Sequence, residues 1–334
     1  MPHILERYKK TPVVDFPTHV KDNPEVSVCI QTYNHSELIR TCLDGVLSQK
    51  TNFSYEILLG EDASTDGTRE ICVEYAEKYP QSIRLFLHSR DNNISINGSP
   101  TGRFNFIYNI FKASGQYLAI CEGDDSWSDP LKLQKQYDFM QANPQCVLVH
   151  TNYVIQSTSE TSKKYRRLPL PKYWPAPEKV LLNNYIGTMT AFIKTLELRE
   201  VLESSLEQTF KWPMLDYFIW IKLVERGLFG FLNDITSIYN KRSGSLSAFD
   251  NEVKHIQFLD AVKDMQLTLL AENKSQTLQK VLTRKVHQVY YRKRFRFAVE
   301  MNNKVDAQDY FVRMKFGNKV NPMNLLKLIR VIFS

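Results

Sequence analysis

The chain has 334 residues, 43% of them apolar and 24% charged, which is typical of a globular protein of one large or two ordinary domains and excludes a disordered one. No run of about 20 apolar residues occurs, so the sequence predicts no membrane span. The net charge of +7 is compatible with nucleic acid, an anionic membrane surface or a phosphorylated substrate as partner, and does not choose among them.

The cysteines favour a reducing compartment. There are five, scattered along the chain and without a CxxC pair, and no apolar run at the N-terminus resembles a signal peptide. Most of them occupy apolar positions of predicted strands and helices. We therefore expect buried thiols in a cytoplasmic protein.

The first part of the chain predicts a lead-in, a strand and a helix. Residues 1–24 are polar and contain four prolines, which favours an extended segment. Residues 26–31 predict a buried strand, which is followed by Thr32, Tyr33 and Asn34 and then by an amphipathic helix. Polar residues thus stand at the carboxyl end of this strand.

The same order of elements recurs in the next segment. Residues 55–59 predict a strand, and the turn after it carries Glu61 and Asp62 before a helix at 69–79. Asp66, in the same turn, is expected to cap that helix.

Three acids follow a further predicted strand. Residues 117–120 are apolar and run directly into Glu122, Asp124 and Asp125. Carboxylates this close repel one another unless a cation lies among them, and oxygen ligands suit Mg²⁺ or Mn²⁺. A polar turn in which Asp124 or Ser126 caps the next helix explains the same residues.

Strands that alternate with helices predict an α/β fold with a mainly parallel, doubly wound sheet. In such a sheet, ligands bind at the carboxyl ends of the strands. The three polar clusters would then lie on one rim, which is hard to explain by coincidence.

The second half of the chain is less regular. A further strand is predicted at 147–153, and residues 156–178 form a basic, proline-rich loop that is either solvated or a phosphate clamp. Asp216 begins a predicted helix. From about residue 250 helical patterns dominate, with aromatic and basic residues mixed at 290–297.

Four segments carry a family resemblance when they are taken together and in this order. They are VCIQTYNH at 28–35, GEDASTDGT at 60–68, EGDD at 122–125 and YNKRSGSLS at 239–247. These segments resemble the family 2 glycosyltransferases, which are inverting, nucleotide-sugar-dependent enzymes of bacterial surface-glycan synthesis. The resemblance covers roughly residues 26–247, with Ala63 where the family commonly has Gly.

The resemblance implies an α/β, GT-A (Rossmann-like) fold, with a mainly parallel sheet, helices on both of its faces and a C-terminal helical appendage. The expected boundaries are 1–24 for the lead-in, 25–248 for the catalytic domain and 249–334 for the helical region. Within the catalytic domain, 25–153 would bind the nucleotide sugar and 154–248 the acceptor.

The resemblance also implies a divalent metal, Mn²⁺ or Mg²⁺, held by Asp124 and Asp125. Tyr33 and Thr32 would line the nucleotide base, and Asp62 would accept a hydrogen bond from it. The full set of implied donor-binding residues is Thr32, Tyr33, Asn34, Asp62, Arg103, Glu122, Asp124, Asp125, Lys241 and Arg242.

The basic residues of this set have specific expected roles. Arg103 would contact the diphosphate or order the acid cluster. In the last motif, Asn240 and Arg242 stand where relatives commonly have Arg and His, so Lys241 and Arg242 would serve the diphosphate instead. This last segment would form a lid over the donor.

Asp216 lies where the family has its catalytic base, at the start of a helix. A helix N-terminus lowers a carboxylate pKa, so the group would be ionised and able to accept the proton of an acceptor hydroxyl. A helix cap would look the same in sequence. Trp127 and Trp212 are the expected acceptor-binding residues.

The implied reaction is transfer of a single sugar from a UDP-linked donor to a hydroxyl of a surface polysaccharide, lipopolysaccharide or lipid-linked glycan. The protein would be cytoplasmic, with peripheral contact at the inner face of the cell membrane through an apolar, basic helix at 323–333, although core packing explains the same residues. No nucleic acid is expected as partner.

Two alternatives stay open. A nucleotidyltransferase acting on sugar phosphates also joins a nucleotide pocket to metal-bound acids, but its usual Gly-rich loop after the first strand is missing here. A non-catalytic nucleotide- or nucleic-acid-binding module would use the aromatic and basic residues at 290–297.

Overall fold

The computed structural model of the chain describes most of its residues in two compact units. The described residues are 3–20, 23–96, 98–157, 164–166, 173–174, 177–241, 252–272 and 275–314. One unit comprises residues 1–180, 184–211 and 215–243, and the other comprises 181–183, 212–214 and 244–334.

Strands and helices alternate through the first unit. The strands are β1 (Val14–Asp15), β2 (Val26–Thr32), β3 (Tyr55–Glu61), β4 (Ile83–Leu87), β5 (Ile94–Ile96), β6 (Ser99–Thr101), β7 (Tyr117–Ile120), β8 (Ser126–Trp127), β9 (Cys146–Ser157), β10 (Lys164–Arg166), β11 (Tyr173–Trp174), β12 (Phe192–Lys194) and β13 (Leu228–Lys241). The α-helices among the described residues are α1 (His3–Glu6), α2 (Ile39–Leu47), α3 (Thr68–Lys78), α4 (Arg103–Lys112), α5 (Lys132–Ala142), α6 (Pro177–Leu182), α7 (Thr195–Thr209), α8 (Leu215–Leu223), α9 (Glu252–Ala271), α10 (Gln276–Glu300) and α11 (Lys304–Arg313).

One large mixed sheet is the frame of the first unit. Its strand order is β1-β4-β3-β2-β7-β12-β9-β13-β11, with β10 beside β9 and β8 beside β13. β2 is parallel to β3 and β7, β3 is parallel to β4, and β9 is parallel to β13. Because β12 is antiparallel to both β7 and β9, the strands β2, β3, β4, β7, β9 and β13 all end at one rim. The predicted α/β fold with a mainly parallel sheet is confirmed.

Helices cover both faces of this sheet. Successive residues of a strand point to opposite faces, so neighbouring residues of β3 contact different helices. Ile57 and Leu59 of β3 belong to the same buried cluster as apolar residues of α2 and α3. Gly60, the next residue, faces α4 instead: Asn105 Nδ2 donates to the Gly60 carbonyl at 2.8 Å, and a Cβ at Gly60 would lie 1.8 Å from Asn105 Oδ1. The glycine therefore lets α4 pack directly on the strand.

The N-terminal segment, expected to be extended, is more structured than that. It begins with the single turn α1, in which Leu5 is fully buried, and continues into β1. β1 pairs antiparallel with β4 and so becomes the outermost strand of the sheet. An apolar side chain and an open sheet edge explain why this proline-containing segment packs.

The second unit is dominated by α9, α10 and α11, and the predicted C-terminal helical appendage is confirmed. Arg294 of α10 is 7% exposed, and its guanidinium lies 3.7 Å from Asp260 of α9 and 3.8 Å from Asp306 of α11. The Tyr310 ring lies 4.7 Å from the same guanidinium. Part of the aromatic-basic run 290–297 therefore joins these helices, which counts against its use as a nucleic-acid surface.

None of the described helices is long and apolar enough to cross a membrane. The helix predicted at 323–333 lies outside the described residues. Peripheral membrane contact through the C-terminal helices therefore stays a prediction.

Candidate active site

Three loops meet at the rim where the parallel strands end. The Asp62 N–H donates to the Thr32 carbonyl at 3.1 Å, and the Gly123 N–H donates to the Gln31 carbonyl at 2.9 Å. The end of β2 is therefore bonded both to the loop after β3 and to the loop after β7. The polar residues that follow three separate strands in the sequence lie together in the folded chain.

The turn after β3 is held by a buried acid. Glu61 is fully buried and accepts from the N–H groups of Ala63 and Ser64, at 3.2 and 2.6 Å, and from Arg69. Ala63 has a φ of 57°, in the left-handed region that favours glycine. Glu61 thus stabilises a strained turn and is not presented to a ligand.

Asp66 ties this turn to its neighbours. It accepts from the Thr68 N–H at 3.1 Å, from the Thr68 hydroxyl at 2.6 Å and from the Ser36 N–H at 3.0 Å. Burial opposes its charge, but these hydrogen bonds prevail and lower the pKa of Asp66 to about 2. Asp66 thus has the structural role that the sequence predicted, but as an Asx turn onto the first residue of α3, because Gly67 and not Asp66 is the N-cap residue.

Asn34 links the loops after β2 and β3. Its Oδ1 accepts from the Thr65 N–H at 3.0 Å, and its own N–H donates to Ser64 Oγ at 2.9 Å. Its φ of 53° is one that Asn adopts more readily than most residues. These bonds favour a structural role for Asn34 over the predicted donor contact.

Asp62 is the centre of a polar group on one side of the rim. It is 3% exposed, and its Oδ2 accepts from Arg90 Nη1 at 2.7 Å and from Asn93 Nδ2 at 3.2 Å. The Arg90 guanidinium also lies 3.8 Å from the centre of the Tyr33 ring, which is 37% exposed. Burial raises the pKa of Asp62 to about 6, although Arg90 and Asn93 act in the opposite direction. Such a group can stack a planar heterocycle and hydrogen-bond its edge.

Arg90 and Asn93 were not found from the sequence. They follow β4 in the polar loop 89–102, which matches no motif. The only signal was that this long polar loop follows a strand that ends at the same rim.

Gly123 allows the loops after β2 and β7 to come close. A Cβ at Gly123 would lie 2.5 Å from Thr32 Oγ1 and 2.9 Å from His35 Nδ1. Thr32 Oγ1 lies 3.2 Å from His35 Nδ1, and His35 Nε2 lies 3.9 Å from Asp124 Oδ2. Thr32 is 2% exposed and its hydroxyl lies against His35, so its contact with the nucleotide base stays a prediction.

Asp125 anchors the loop at 122–125, here called the acid loop. It is 1% exposed, and its Oδ1 accepts from the Asn240 N–H at 3.0 Å, while Asn240 Nδ2 donates to the Asp124 carbonyl at 2.8 Å. Burial, Asp124 and Glu122 raise the pKa of Asp125 well above its usual range. Asn240, which stands where relatives commonly have Arg, thus fixes the acid loop to β13.

Asp216 lies in the first turn of α8, near enough to Glu122 for its charge to act on that carboxyl group. Burial, the charge of Asp124 and the charge of Asp216 together raise the pKa of Glu122 to about 8. The structure therefore brings together Glu122 and Asp124, which follow β7, and an acid that lies about 90 residues further along the chain.

Asn184 binds Asp216 directly. Its Nδ2 donates to Asp216 Oδ2 at 3.2 Å, and its own buried Oδ1 has no hydrogen-bond partner among the described residues. Burial raises the pKa of Asp216, and hydrogen bonds from Tyr217 and Asn184 and the charge of Arg103 offset this only in part. The lowered pKa expected at a helix N-terminus is therefore wrong, because burial outweighs the helix.

Arg103 is buried near enough to Asp216 for the two charges to interact. It is 4% exposed, and its Nη1 donates to the Thr209 carbonyl at the end of α7. Burial lowers the pKa of Arg103 to about 10, and the charge of Asp216 acts against that shift. Of its two predicted roles, this position favours ordering the acids over contacting a diphosphate.

Trp127 has no face available to an acceptor. It is 5% exposed, its Nε1 donates to the Met189 carbonyl at 2.9 Å, and Lys132 Nζ lies 4.2 Å from its ring centre. The expectation that Trp127 binds the acceptor is corrected, because a ring packed in this way cannot stack on a sugar. Trp212 is half-buried and stays a predicted acceptor residue.

The donor set for a metal consists of carboxylate oxygens. Among the residues that the structure describes, no group of three or more His, Cys, Asp or Glu side chains is arranged to hold one. A site of one or two carboxylates completed by substrate phosphates is the usual arrangement for Mg²⁺. Asp124 and Glu122 fit that pattern, and a cation there would relieve the repulsion that raises the pKa of Glu122. Lys241 is exposed at the end of β13, and Arg242 lies outside the described residues.

Comparisons with known proteins agree on one family. The model of glycosyl transferase family 2 matches residues 27–203. An uncharacterized protein of Mycobacterium tuberculosis is 31% identical over 222 residues, which cover 65% of this chain and 59% of that relative. A putative teichuronic acid biosynthesis glycosyltransferase of Bacillus subtilis, TuaG, is 26% identical over 67% of this chain and 82% of its own length.

Solved structures share the architecture. S. aureus TarS 1–349 in complex with UDP-GlcNAc matches 87% of this chain and 79% of its own, with a TM-score of 0.61 and 15% identity. The mannosyltransferase PcManGT of Pyrobaculum calidifontis, in complex with GDP-Man and Mn²⁺, matches 99% of this chain and 92% of its own, with a TM-score of 0.54 and 16% identity. At these identities the likeness shows a common fold.

Proposed function

Since the chain belongs to glycosyl transferase family 2 and has the GT-A fold, we propose that it transfers a single sugar, with inversion, from a UDP-linked donor to a hydroxyl of a cell-envelope glycan. The observation that carries this proposal is that hydrogen bonds join the loops after β2, β3 and β7 at one rim of the sheet, with Asp216 near enough for its charge to act on Glu122. A displacement at an anomeric carbon requires a base for the acceptor hydroxyl and a group that binds the donor. Asp216 and the acid loop, which come from distant segments, would supply these two functions.

Asp62 and Tyr33 are the proposed base pocket. The Tyr33 ring is partly exposed, and a buried carboxylate beside it can accept a hydrogen bond from the N–H edge of uracil. Arg90 and Asn93 hold that carboxylate in place through its Oδ2. TarS, a fold relative, is known in complex with UDP-GlcNAc, which supports UDP as the nucleotide.

Asp124 is the proposed metal ligand, together with Glu122. Asp125, predicted as the second ligand, is less suited because it is buried and its Oδ1 is bound by Asn240. A bound Mn²⁺ or Mg²⁺ would supply positive charge to the leaving diphosphate. Lys241 and Arg242 are proposed to contact the same diphosphate.

Asp216 is the proposed general base. In the transfer step, a bond forms between the acceptor oxygen and the anomeric carbon, and the bond from that carbon to the diphosphate oxygen breaks. The hydroxyl proton passes to Asp216, and the nucleoside diphosphate leaves. Burial raises the pKa of Asp216, which makes the ionised carboxylate a stronger base than an exposed one. Asn184 orients it by donating to Oδ2.

The acceptor class is proposed from the named relatives. TuaG carries a name in teichuronic acid biosynthesis, which supports a surface polysaccharide or a lipid-linked glycan as acceptor. Trp212 is proposed to contact it. Peripheral contact with the inner face of the cell membrane, and a cytoplasmic location, belong to the same proposal, and no nucleic acid is expected as partner.

A thermal-shift screen of nucleotide sugars with and without Mn²⁺ tests the proposal, since a donor stabilises the fold by mass action. We expect UDP sugars to raise the melting temperature only when Mn²⁺ is present. With an acceptor glycan added, the products should be UDP and a new glycosidic bond.

Other results would favour the alternatives. Release of pyrophosphate from a nucleoside triphosphate and a sugar phosphate would indicate a nucleotidyltransferase. Binding of an oligonucleotide without any nucleotide-sugar response would indicate a binding module.

A further inference from the structure

The N-terminal segment, residues 3–20, contains β1 and runs alongside β4 at the edge of the large sheet. Val14 and Asp15 of β1 pair with Leu87 and Phe86 of β4. The Phe16 N–H donates to the Leu85 carbonyl at 2.9 Å, beyond the strand itself. Because β1 is antiparallel to β4, the residues that precede β1 lie beside the loop that follows β4.

A pair of hydrogen bonds joins this segment to that loop. The Thr11 N–H donates to Asn92 Oδ1 at 2.9 Å, and Asn92 Nδ2 donates to the Thr11 carbonyl at 2.9 Å. The side-chain amide of Asn92 thus pairs with the backbone of Thr11 as a neighbouring strand would. Asn92 is 1% exposed, so water does not compete for these bonds.

Asn92 lies between the two residues that hold Asp62. Arg90 and Asn93 both donate to Asp62 Oδ2, at 2.7 and 3.2 Å. At the other end of residues 88–93, here called the base loop, the His88 N–H donates to the Glu61 carbonyl at 2.8 Å. The base loop is therefore attached to β3 at its start and to the N-terminal segment at Asn92.

On the N-terminal side of Thr11, the segment is also packed against the rest of the first unit. Leu5 is fully buried, and the Tyr8 ring packs edge-on against Phe210 with centroids 5.0 Å apart. A segment that is fixed at Leu5, Tyr8 and β1 can hold the base loop still, whereas a free tail could not.

We infer that residues 3–20 act as a clamp that pre-positions the base loop, so that Thr11 and Asn92 are positioning residues for nucleotide binding. The inference rests on the proposed function, since it assigns the nucleobase to Asp62 and Tyr33. A loop held in its binding geometry before the ligand arrives loses less conformational entropy on binding, and affinity rises accordingly. The clamp sets the affinity for the donor and leaves the transfer step unchanged.

Titration calorimetry of UDP in the presence of Mn²⁺, with GDP as a second probe, tests the clamp in two variants of the full chain. Asn92→Ala removes both hydrogen bonds from the loop side. Thr11→Pro removes the Thr11 N–H without changing any residue of the base loop. We expect both variants to bind UDP about tenfold more weakly than the wild type, with a raised donor KM and an unchanged kcat. Hydrogen exchange at the amides of 88–93 should be faster in both.

Two control variants separate positioning from general stability. Arg7→Ala breaks the exposed ion pair of Arg7 with Glu207, at 3.6 Å, in the same segment but away from the base loop. Val201→Ala opens a cavity at a buried position of α7 and lowers the melting temperature. Neither control should change UDP affinity. Wild-type affinity in both Asn92→Ala and Thr11→Pro, or an equal loss in Val201→Ala, would overturn the clamp, whereas a wild type that binds neither UDP nor GDP would overturn the proposed function itself.

Discussion

The acid loop of the first unit and the Arg294 cluster of the second unit both bring several charged side chains together, but they differ in how those charges are balanced. Arg294 lies 3.7 Å from Asp260 and 3.8 Å from Asp306, so opposite charges meet. In the acid loop, burial and the like charges of Asp124 and Asp216 together raise the pKa of Glu122 to about 8.

The difference is the reason for which we place the proposed ligand site at the acid loop and not at the Arg294 cluster. A balanced cluster such as that of Arg294 has completed its interactions within the protein and stabilises the packing of helices. An unbalanced cluster keeps like charges close at a cost in stability, which is common where a substrate or cation supplies the missing charge. The following predictions test that contrast, from the largest expected effect to the smallest.

Asp216→Asn should lower kcat for sugar transfer by about 10²- to 10⁴-fold, because the amide cannot accept the acceptor proton. Donor affinity, measured by calorimetry, should be nearly unchanged. The matched variant in the balanced cluster, Asp260→Asn, should leave kcat at the wild-type value. Equal loss of donor binding and turnover in Asp216→Asn would contradict its role as base.

Asp124→Ala should abolish the Mn²⁺-dependent rise in melting temperature caused by a UDP sugar, a stabilisation of about 2.7 kcal/mol at 100 times the Kd. Asp125→Ala is the control within the same loop. It should lower the free energy of unfolding without ligand by about 1–3 kcal/mol, because the Asn240 N–H loses its acceptor, and should keep the response to Mn²⁺. The reverse pattern would assign the metal to Asp125.

Arg294→Met should lower the free energy of unfolding by about 1–3 kcal/mol, since Asp260 and Asp306 lose a shared partner. Urea denaturation measures this loss. Donor affinity and turnover should stay at their wild-type values, and a drop in either would show that the balanced cluster also serves the reaction.

UDP affinity should fall as the pH is lowered from 7 to 5, because the pKa of Asp62 is about 6 and a protonated carboxyl no longer accepts a hydrogen bond equally well at both oxygens. Asp62→Asn should remove this pH dependence, which calorimetry at several pH values measures.

The raised pKa of Asp62 also predicts a pH dependence of stability in the unliganded protein. The contribution of Asp62 to stability is fully present below its ordinary pKa of 3.8 and is lost as the pH rises through about 6. Urea denaturation of both proteins at pH 4 and pH 7 measures it.

Ala63→Gly should raise the free energy of unfolding by about 0.5–1 kcal/mol, because Ala63 has a φ of 57° and glycine adopts this conformation without strain. Equilibrium urea denaturation detects a change of this size. A loss of stability would mean that the methyl group contributes packing that outweighs the backbone strain.

Much of the frame could be predicted from local patterns. Apolar runs such as 26–31 and 117–120, each followed by polar residues, specify strands whose ends carry a site, and the spacing of four motifs indicates the family. The structural role of Asp66 was also predictable, because its partner Thr68 is only two residues away.

The contacts that the sequence could not reveal join distant residues. Arg90 and Asn93 reach Asp62, Asn184 reaches Asp216 and Asn240 reaches Asp125, over separations of 28, 31, 32 and 115 residues. None of these partners has a local signature, because the register of the sheet brings them together.

The amino-acid sequence by itself determined the alternation of strands and helices, the acids at the strand ends and the family, since these depend on periodicity and residue order within short segments. Only the tertiary structure decided that Trp127 is packed and not exposed, that Asp125 is an anchor, and that the pKa of Asp216 is raised. The physical reason is burial: desolvation comes from residues remote in the chain, and at Asp216 it outweighs the hydrogen bonds from Tyr217 and Asn184 and the charge of Arg103, which act in the opposite direction.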